Sequence, residues 1–125
     1  MDIETILLDY RKFPYKSVVL EGGEKVGRYR VNQTQYSCLE VVKLEANSAY
    51  GPHKHSVSDE QLTVIEGSGK AIVNGKKIPY PEEIQFDIPK GTSHGFQTSE
   101  VTYLLSAQTP QIVDEETGIA DIVPG

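Results

Sequence analysis

Three histidines occur in this 125-residue chain, and all three fall into one spacing pattern with a carboxylate. His53-x-His55 is followed by Glu60 and then by Gly67, and His94 closes the segment Pro89-Lys90-Gly91-Thr92-Ser93-His94. Three neutral imidazoles and one carboxylate make a ligand set for a single divalent transition metal: iron, manganese, nickel, cobalt or zinc. With no thiolate in the set, a closed structural zinc site is disfavoured. Four protein ligands on an octahedral ion leave two positions for water, dioxygen or a bidentate substrate. Without an ion, Glu60 would be a buried carboxylate facing three imidazoles, costly unless protons or water compensate. The alternative is an empty, hydrogen-bonded histidine cluster.

These side chains must be carried by strands. Alternate residues of an extended segment point the same way, so His53 and His55 can address one point. Four residues then let the chain turn and return antiparallel, with Glu60 on the same face as Leu62 and Val64. His94 shares its face with Phe96. Further strand candidates are 26–31, 36–44, 61–66, 70–73, 84–88, 94–98 and 101–107, punctuated by Gly67-Ser68-Gly69, Pro81-Glu82-Glu83 and Pro89-Lys90-Gly91. Asn74-Gly75 is a two-residue hairpin signal, since both positions tolerate positive φ. In 36–44, Cys38, Val42 and Leu44 share one face while Leu39 and Val41 share the other, which suits a strand inside a sandwich. Short strands at this spacing predict an all-β sandwich or barrel. The tail from Thr109 is expected to pack along the outside or fray, and either flank, 1–25 or 109–125, can add an edge strand or dimer contacts.

The two histidine segments resemble both signature motifs of the cupin superfamily, small jelly-roll β-barrels with a metal in the barrel mouth. The first motif reads Asn47, His53, His55, Glu60, Gly67; the second reads Glu83, Pro89, Gly91, His94, Thr98. The resemblance covers about residues 36–108 of a chain treated as one domain, 1–125, and carries the four metal-ligand positions to His53, His55, Glu60 and His94. Asn47 and Glu83 stand where the motifs have glycine, and Thr98 where the second has asparagine. Asn47 tolerates the left-handed conformation, whereas the turn at Glu83 must be built differently. The resemblance also implies a homodimer, with Val18-Val19-Leu20 the candidate interface.

Cupins with this ligand set include dioxygenases, isomerases, decarboxylases and lyases, so the fold does not settle the reaction. The resemblance favours a metalloenzyme of dioxygenase or related oxidoreductase type acting on a small oxygen-rich metabolite. Metal-dependent isomerase or lyase chemistry on a sugar-like or acid substrate is the first alternative. A non-catalytic small-ligand-binding or sensing module is the second. A titratable side chain beside the open metal positions would discriminate them, and Tyr103 and Tyr36 are the candidates. Tyr103 shares a face with Leu105 and Ala107, taken here as the barrel face. Arg28, Arg30, Cys38, Phe96 and Gln97 are candidate pocket residues. Arg28 and Arg30 share a face that could clamp a carboxylate or phosphate; the competing assignment is a solvated outward face with Tyr29 and Val31 packed inside.

A net charge of −6 argues against nucleic acid or an anionic membrane as partner, since both need a basic face. Cys38 is the single cysteine, so no intrachain disulfide can form. The opening residues carry no signal-peptide pattern, and the cytoplasm is the expected compartment.

Overall fold

The computed structural model describes residues 9–125. Residues 1–8, part of the amino-terminal flank expected to add an edge strand, lie outside the described residues. Eleven strands follow a 3-10 turn at Tyr10–Lys12: β1 (Tyr15–Val19), β2 (Lys25–Gln33), β3 (Cys38–Leu44), β4 (Ala49–Lys54), β5 (Asp59–Glu66), β6 (Gly69–Val73), β7 (Lys76–Tyr80), β8 (Gln85–Ile88), β9 (His94–Thr98), β10 (Thr102–Thr109) and β11 (Val123–Pro124). They form a six-stranded sheet in the order β1-β2-β3-β10-β5-β8 and a five-stranded sheet in the order β11-β4-β9-β6-β7. All pairings are antiparallel, the all-β jelly-roll architecture expected from the punctuation.

The turns follow from residue chemistry. Asn74 and Gly75 adopt φ of 49° and 81°, joining β6 to β7 in a two-residue hairpin. Asn47 takes φ of 50°, so asparagine serves where the motif has glycine. Thr98 supports that turn, its hydroxyl accepting the Ser48 amide hydrogen at 3.0 Å. Glu83 is not among the described residues with positive φ, so its turn is indeed built differently.

The sheets enclose a core of Leu20, Leu44, Tyr50, Leu62, Ala71, Tyr80, Phe86, Ile88, Phe96 and Leu104. A second cluster of Tyr10, Val31, Val41 and Leu105, flanked by Phe13, Tyr29, Leu39, Ile65 and Tyr103, comes from the opposite parity of β2, β3, β5 and β10. It covers the outer face of the six-stranded sheet. The tail supplies an edge strand of the five-stranded sheet. Ile112 and Val113 are buried, Val113 bridges Ala120, and β11 adds to β4 beside His53 and Lys54. It closes the open end of the barrel, because its apolar residues find there the uncovered rims of both sheets.

Candidate metal centre

His53 lies near the end of β4 and His94 opens β9, and these two residues are register partners. Their imidazoles therefore stand side by side. β4 ends at Lys54, so His55 is held by the following loop rather than by strand alternation. Glu60, on β5 of the opposite sheet, completes the group from across the barrel.

Each imidazole is anchored through Nδ1 to a backbone carbonyl: His53 to Gly51 at 3.2 Å, His55 to Asp121 at 2.6 Å and His94 to Thr92 at 2.9 Å. A carbonyl only accepts, so every Nδ1 carries hydrogen and every Nε2 of a neutral ring is left with its lone pair. The ligand atoms of the three histidines lie within 4.8 Å of one another. Glu60 Oε1 stands 3.3 Å from His55 Nε2 and 3.6 Å from His94 Nε2. Adjacent ligands about 2.1 Å from a divalent ion would be roughly 3 Å apart, so these spacings fit one ion with slight contraction. The donor set and its preset tautomers fit a transition metal.

The electrostatics agree. Burial pushes His94 down to about 4, with His53 nearby adding to the effect, and burial likewise lowers His53. Both rings are thus neutral and ready to coordinate at neutral pH. Burial alone would lower His55 and raise Glu60. The hydrogen bond and charge between them prevail, so His55 is raised and Glu60 lowered.

Glu60 is fixed from behind. Ser106 donates its hydroxyl to Glu60 Oε2, leaving Oε1 to face His55 and His94. Gln108 Nε2 donates to Ser106 Oγ at 3.0 Å and to Glu40 Oε1 at 2.8 Å, while its Oε1 accepts from the Ile112 amide at 2.8 Å. Glu40 Oε2 in turn accepts from Arg28 at 2.7 Å and Arg30 at 3.2 Å.

Comparison with known proteins meets this geometry. No family model matches the chain. An uncharacterized protein of Aquifex aeolicus (strain VF5) is 30% identical over 88 residues, covering 70% of this chain and 71% of the relative. Among solved structures, KdgF from Halomonas sp. superposes with a TM-score of 0.69 at 21% identity, over 86% of this chain and 93% of that one. A predicted oxalate decarboxylase from Thermotoga maritima gives 0.68 at 18% identity, over 82% and 96%. A cupin-2 domain from Rhodospirillum rubrum gives 0.67 at 16% identity, over 84% and 78%. The chain has the cupin fold.

In this cupin the histidines and Glu60 sit at one side of a cavity of about 80 Å³, room for a few waters or a small molecule. Its walls are mostly apolar, with Leu62, Phe96 and Leu104 among them, and Arg28, Glu40 and Gln108 form its other polar region. A wider recess of about 670 Å³ adjoins it between the β1–β2 turn and the tail, sharing Val18, Leu20, His53 and Ile122.

Several expected pocket residues are elsewhere. Tyr103 does share a face with Leu105, but that face is the outer one: Leu104, Ser106 and Gln108 point inward, and Tyr103 packs against Tyr10 with ring centroids 5.5 Å apart. Tyr36 is 70% exposed, in the turn before β3. Gln97 is exposed on β9, opposite in parity to Phe96, which does line the cavity. Cys38 is buried without lining the cavity, and desolvation, followed by the charge of Glu40, pushes its thiol up to about 12.

The arginine face is neither solvated nor free. Arg28 is buried and lines the cavity, and its Nη1 also donates to Glu115 at 2.8 Å. Arg30 does not line the cavity and donates to Gln111 at 2.8 Å and to the Val113 carbonyl at 2.7 Å. Two guanidinium groups thus meet two carboxylates within the protein. Glu40 lies opposite Arg30 on the neighbouring strand, whereas Glu115 is 87 positions from Arg28 and no local spacing could have shown that pairing. Ser106, Gln108, Glu40 and Asp121 were likewise missed. Only the parity of Ser106 and Gln108 with Leu104 on β10 offered a signal.

Proposed function

We propose that this cupin is a mononuclear metal-dependent oxidoreductase of dioxygenase type, acting on a small oxygen-bearing metabolite in the barrel. The observation that carries the reading is a set of three Nδ1-anchored imidazoles and one carboxylate oxygen in a mostly apolar cavity with no free acid–base partner among the described residues. Isomerase and lyase chemistry needs a positioned group to move protons. Tyr103 and Tyr36 lie off the cavity, and Glu40 is committed to two arginines. Tyr50 lines the cavity, yet its hydroxyl is engaged with the Glu45 amide at 2.8 Å.

A bound ion supplies Lewis acidity or, as iron(II), electrons for dioxygen. His53, His55, His94 and Glu60 would hold it, Ser106 fixes one oxygen of Glu60, and Leu62, Phe96 and Leu104 wall off bulk water. One structural neighbour is described as a predicted oxalate decarboxylase; a small oxygen-rich acid of that kind suits the cavity size and supports the substrate class. The test is oxygen uptake by iron-loaded protein against a panel of small carboxylic acids and thiols. Uptake with at least one compound, abolished in His94→Ala, is expected. Tight binding of an acid with no uptake would replace this reading with a small-ligand-binding module.

The proposal places the protein in the cytoplasm, where the single buried Cys38 needs no oxidised partner. Among the described residues no helix is long and apolar enough to cross a membrane. It also includes a homodimer, with a narrower candidate interface than the sequence offered. Val18 and Leu20 turn to the cavity, leaving Val19, 61% exposed, on edge strand β1. Light scattering should give twice the 13.8 kDa chain mass; a monomer would overturn this part.

A further inference from the structure

The loop that carries His55 has few partners in its own sheets. β4 ends at Lys54 and β5 begins at Asp59, so residues 55–58 lie between strands. The Gly91 amide donates to the His55 carbonyl at 2.7 Å, and the other hydrogen bonds that hold them come mainly from the far end of the described chain. The Asp121 carboxylate accepts three successive backbone hydrogens, from Ser56 at 2.8 Å, Val57 at 2.8 Å and Ser58 at 2.9 Å. The carbonyl of the same residue accepts from His55 Nδ1 at 2.6 Å. Asp121 is itself fixed by its amide donating to Ile112 O at 2.8 Å, and the following Val123 and Pro124 pair with Lys54 and His53.

We propose that Asp121 is the positioning residue of the metal centre: its side chain sets the path of the His55 loop and its carbonyl sets the ring's tautomer and direction. This goes beyond the metal-dependent reading and rests on it. His53 and His94 take their Nδ1 acceptors from residues two positions away, Gly51 and Thr92, so strand geometry supplies them automatically. His55 has no such local acceptor and borrows one across 66 positions. A carboxylate bound by three consecutive amides is a strong, directional anchor, and the groups behind a metal-bound histidine commonly govern affinity. The tail thereby becomes part of the site, and a cupin of this kind with a displaced tail would have two preset imidazoles rather than three.

The test uses Zn(II) alone as probe on the full chain. Asp121→Ala should weaken Zn(II) binding by about 10- to 100-fold in chelator competition. In the proton spectrum of zinc-loaded protein, the hydrogen-bonded Nδ1–H signal of His55 should be lost by exchange while those of His53 and His94 persist. A merely structural role would lower the melting temperature without singling out one ring. Asp121→Asn keeps an acceptor of the same shape and should show a smaller loss in the same direction, which decides the matter if the alanine variant does not fold. Affinity within about two-fold of wild type, with the His55 signal retained, would overturn the proposal. If wild-type protein takes up no Zn(II), the metal reading fails on its own. Amide exchange at residues 56–58 then judges the anchor: fast in Asp121→Asn and slow in wild type supports it, and equal rates overturn it.

Discussion

The two faces of the six-stranded sheet bury different chemistry, for the inner one adds charged and polar side chains to its leucines. The inner face of β2, β3, β5 and β10 carries Arg28, Glu40, Glu60, Ser106 and Gln108, all buried. The outer face of the same strands carries Tyr29, Val31, Val41, Tyr103 and Leu105, packed under Tyr10. Tyr10 and Tyr29 meet edge-on at 5.1 Å, and the Arg11 guanidinium lies 4.6 Å over the Tyr10 ring. Buried charge is costly unless paired, so a polar interior persists where every member has a partner or a task. Here Glu60 faces histidines, and Glu40 is shared between two arginines and Gln108. The outer face, by contrast, is held by apolar and aromatic contacts with one guanidinium over its rings. One face carries the chemistry and the other supports it.

Substitutions on the two faces should therefore separate. The largest effect is expected on the inner face, where Glu40→Ala leaves two guanidinium groups without their main counter-charge. A loss of about 3–5 kcal/mol in denaturant unfolding is predicted, and a loss below about 1 kcal/mol would mean the network is not load-sharing in this way. On the outer face, Tyr103→Ala should cost about 2 kcal/mol of stability through lost packing while metal affinity stays at the wild-type value. A fall in affinity would return Tyr103 to the site. Ser106→Ala frees Glu60 Oε2 on the inner face and should weaken metal binding about tenfold, with little change in stability. Unaltered affinity would show that Glu60 needs no second support.

The smallest effect is on pH dependence. His94 titrates at about 4 when folded and near 6.5 when unfolded. Between those values the unfolded chain binds more protons, so the metal-free protein loses stability as pH falls from about 6.5 towards 4. His53, also lowered, acts in the same direction, while the raised His55 opposes them with a contribution lost as pH rises. Melting temperatures across this window should fall with pH, less steeply in His94→Gln. An equal slope in both proteins would contradict a buried neutral imidazole.

Much of the positioning was legible because it is local. His53, Glu60 and His94 could be placed from strand parity with Leu62 and Phe96, and Asn74-Gly75 and Asn47 from backbone tolerance. Parity alone cannot say which face is inside, and that is where Tyr103 was misplaced. Val101 to Ala107 reads as apolar on both faces, and the deciding residues, Ser106 and Gln108, are polar and inward. The arginine pair was ambiguous for the same reason: Glu40 faces Arg30 across the β2–β3 pairing, but only the folded tail brings Glu115 to Arg28. The tail was least legible. Asp121 sits among turn-forming residues, and its contacts with His55 and Ser56–Ser58 exist only once the barrel is closed.

The central claim is that three histidines from two strands and a loop, with Glu60 from the opposite sheet, bind one divalent ion. Elemental analysis of protein purified without chelator or added metal tests it most directly, with His53→Ala and His94→Ala purified alongside. About one equivalent of iron, manganese, nickel, cobalt or zinc is predicted in the wild type, lost in both variants while their strand content is retained. Undiminished metal in the variants, or no metal in the wild type even after reconstitution, would contradict the account.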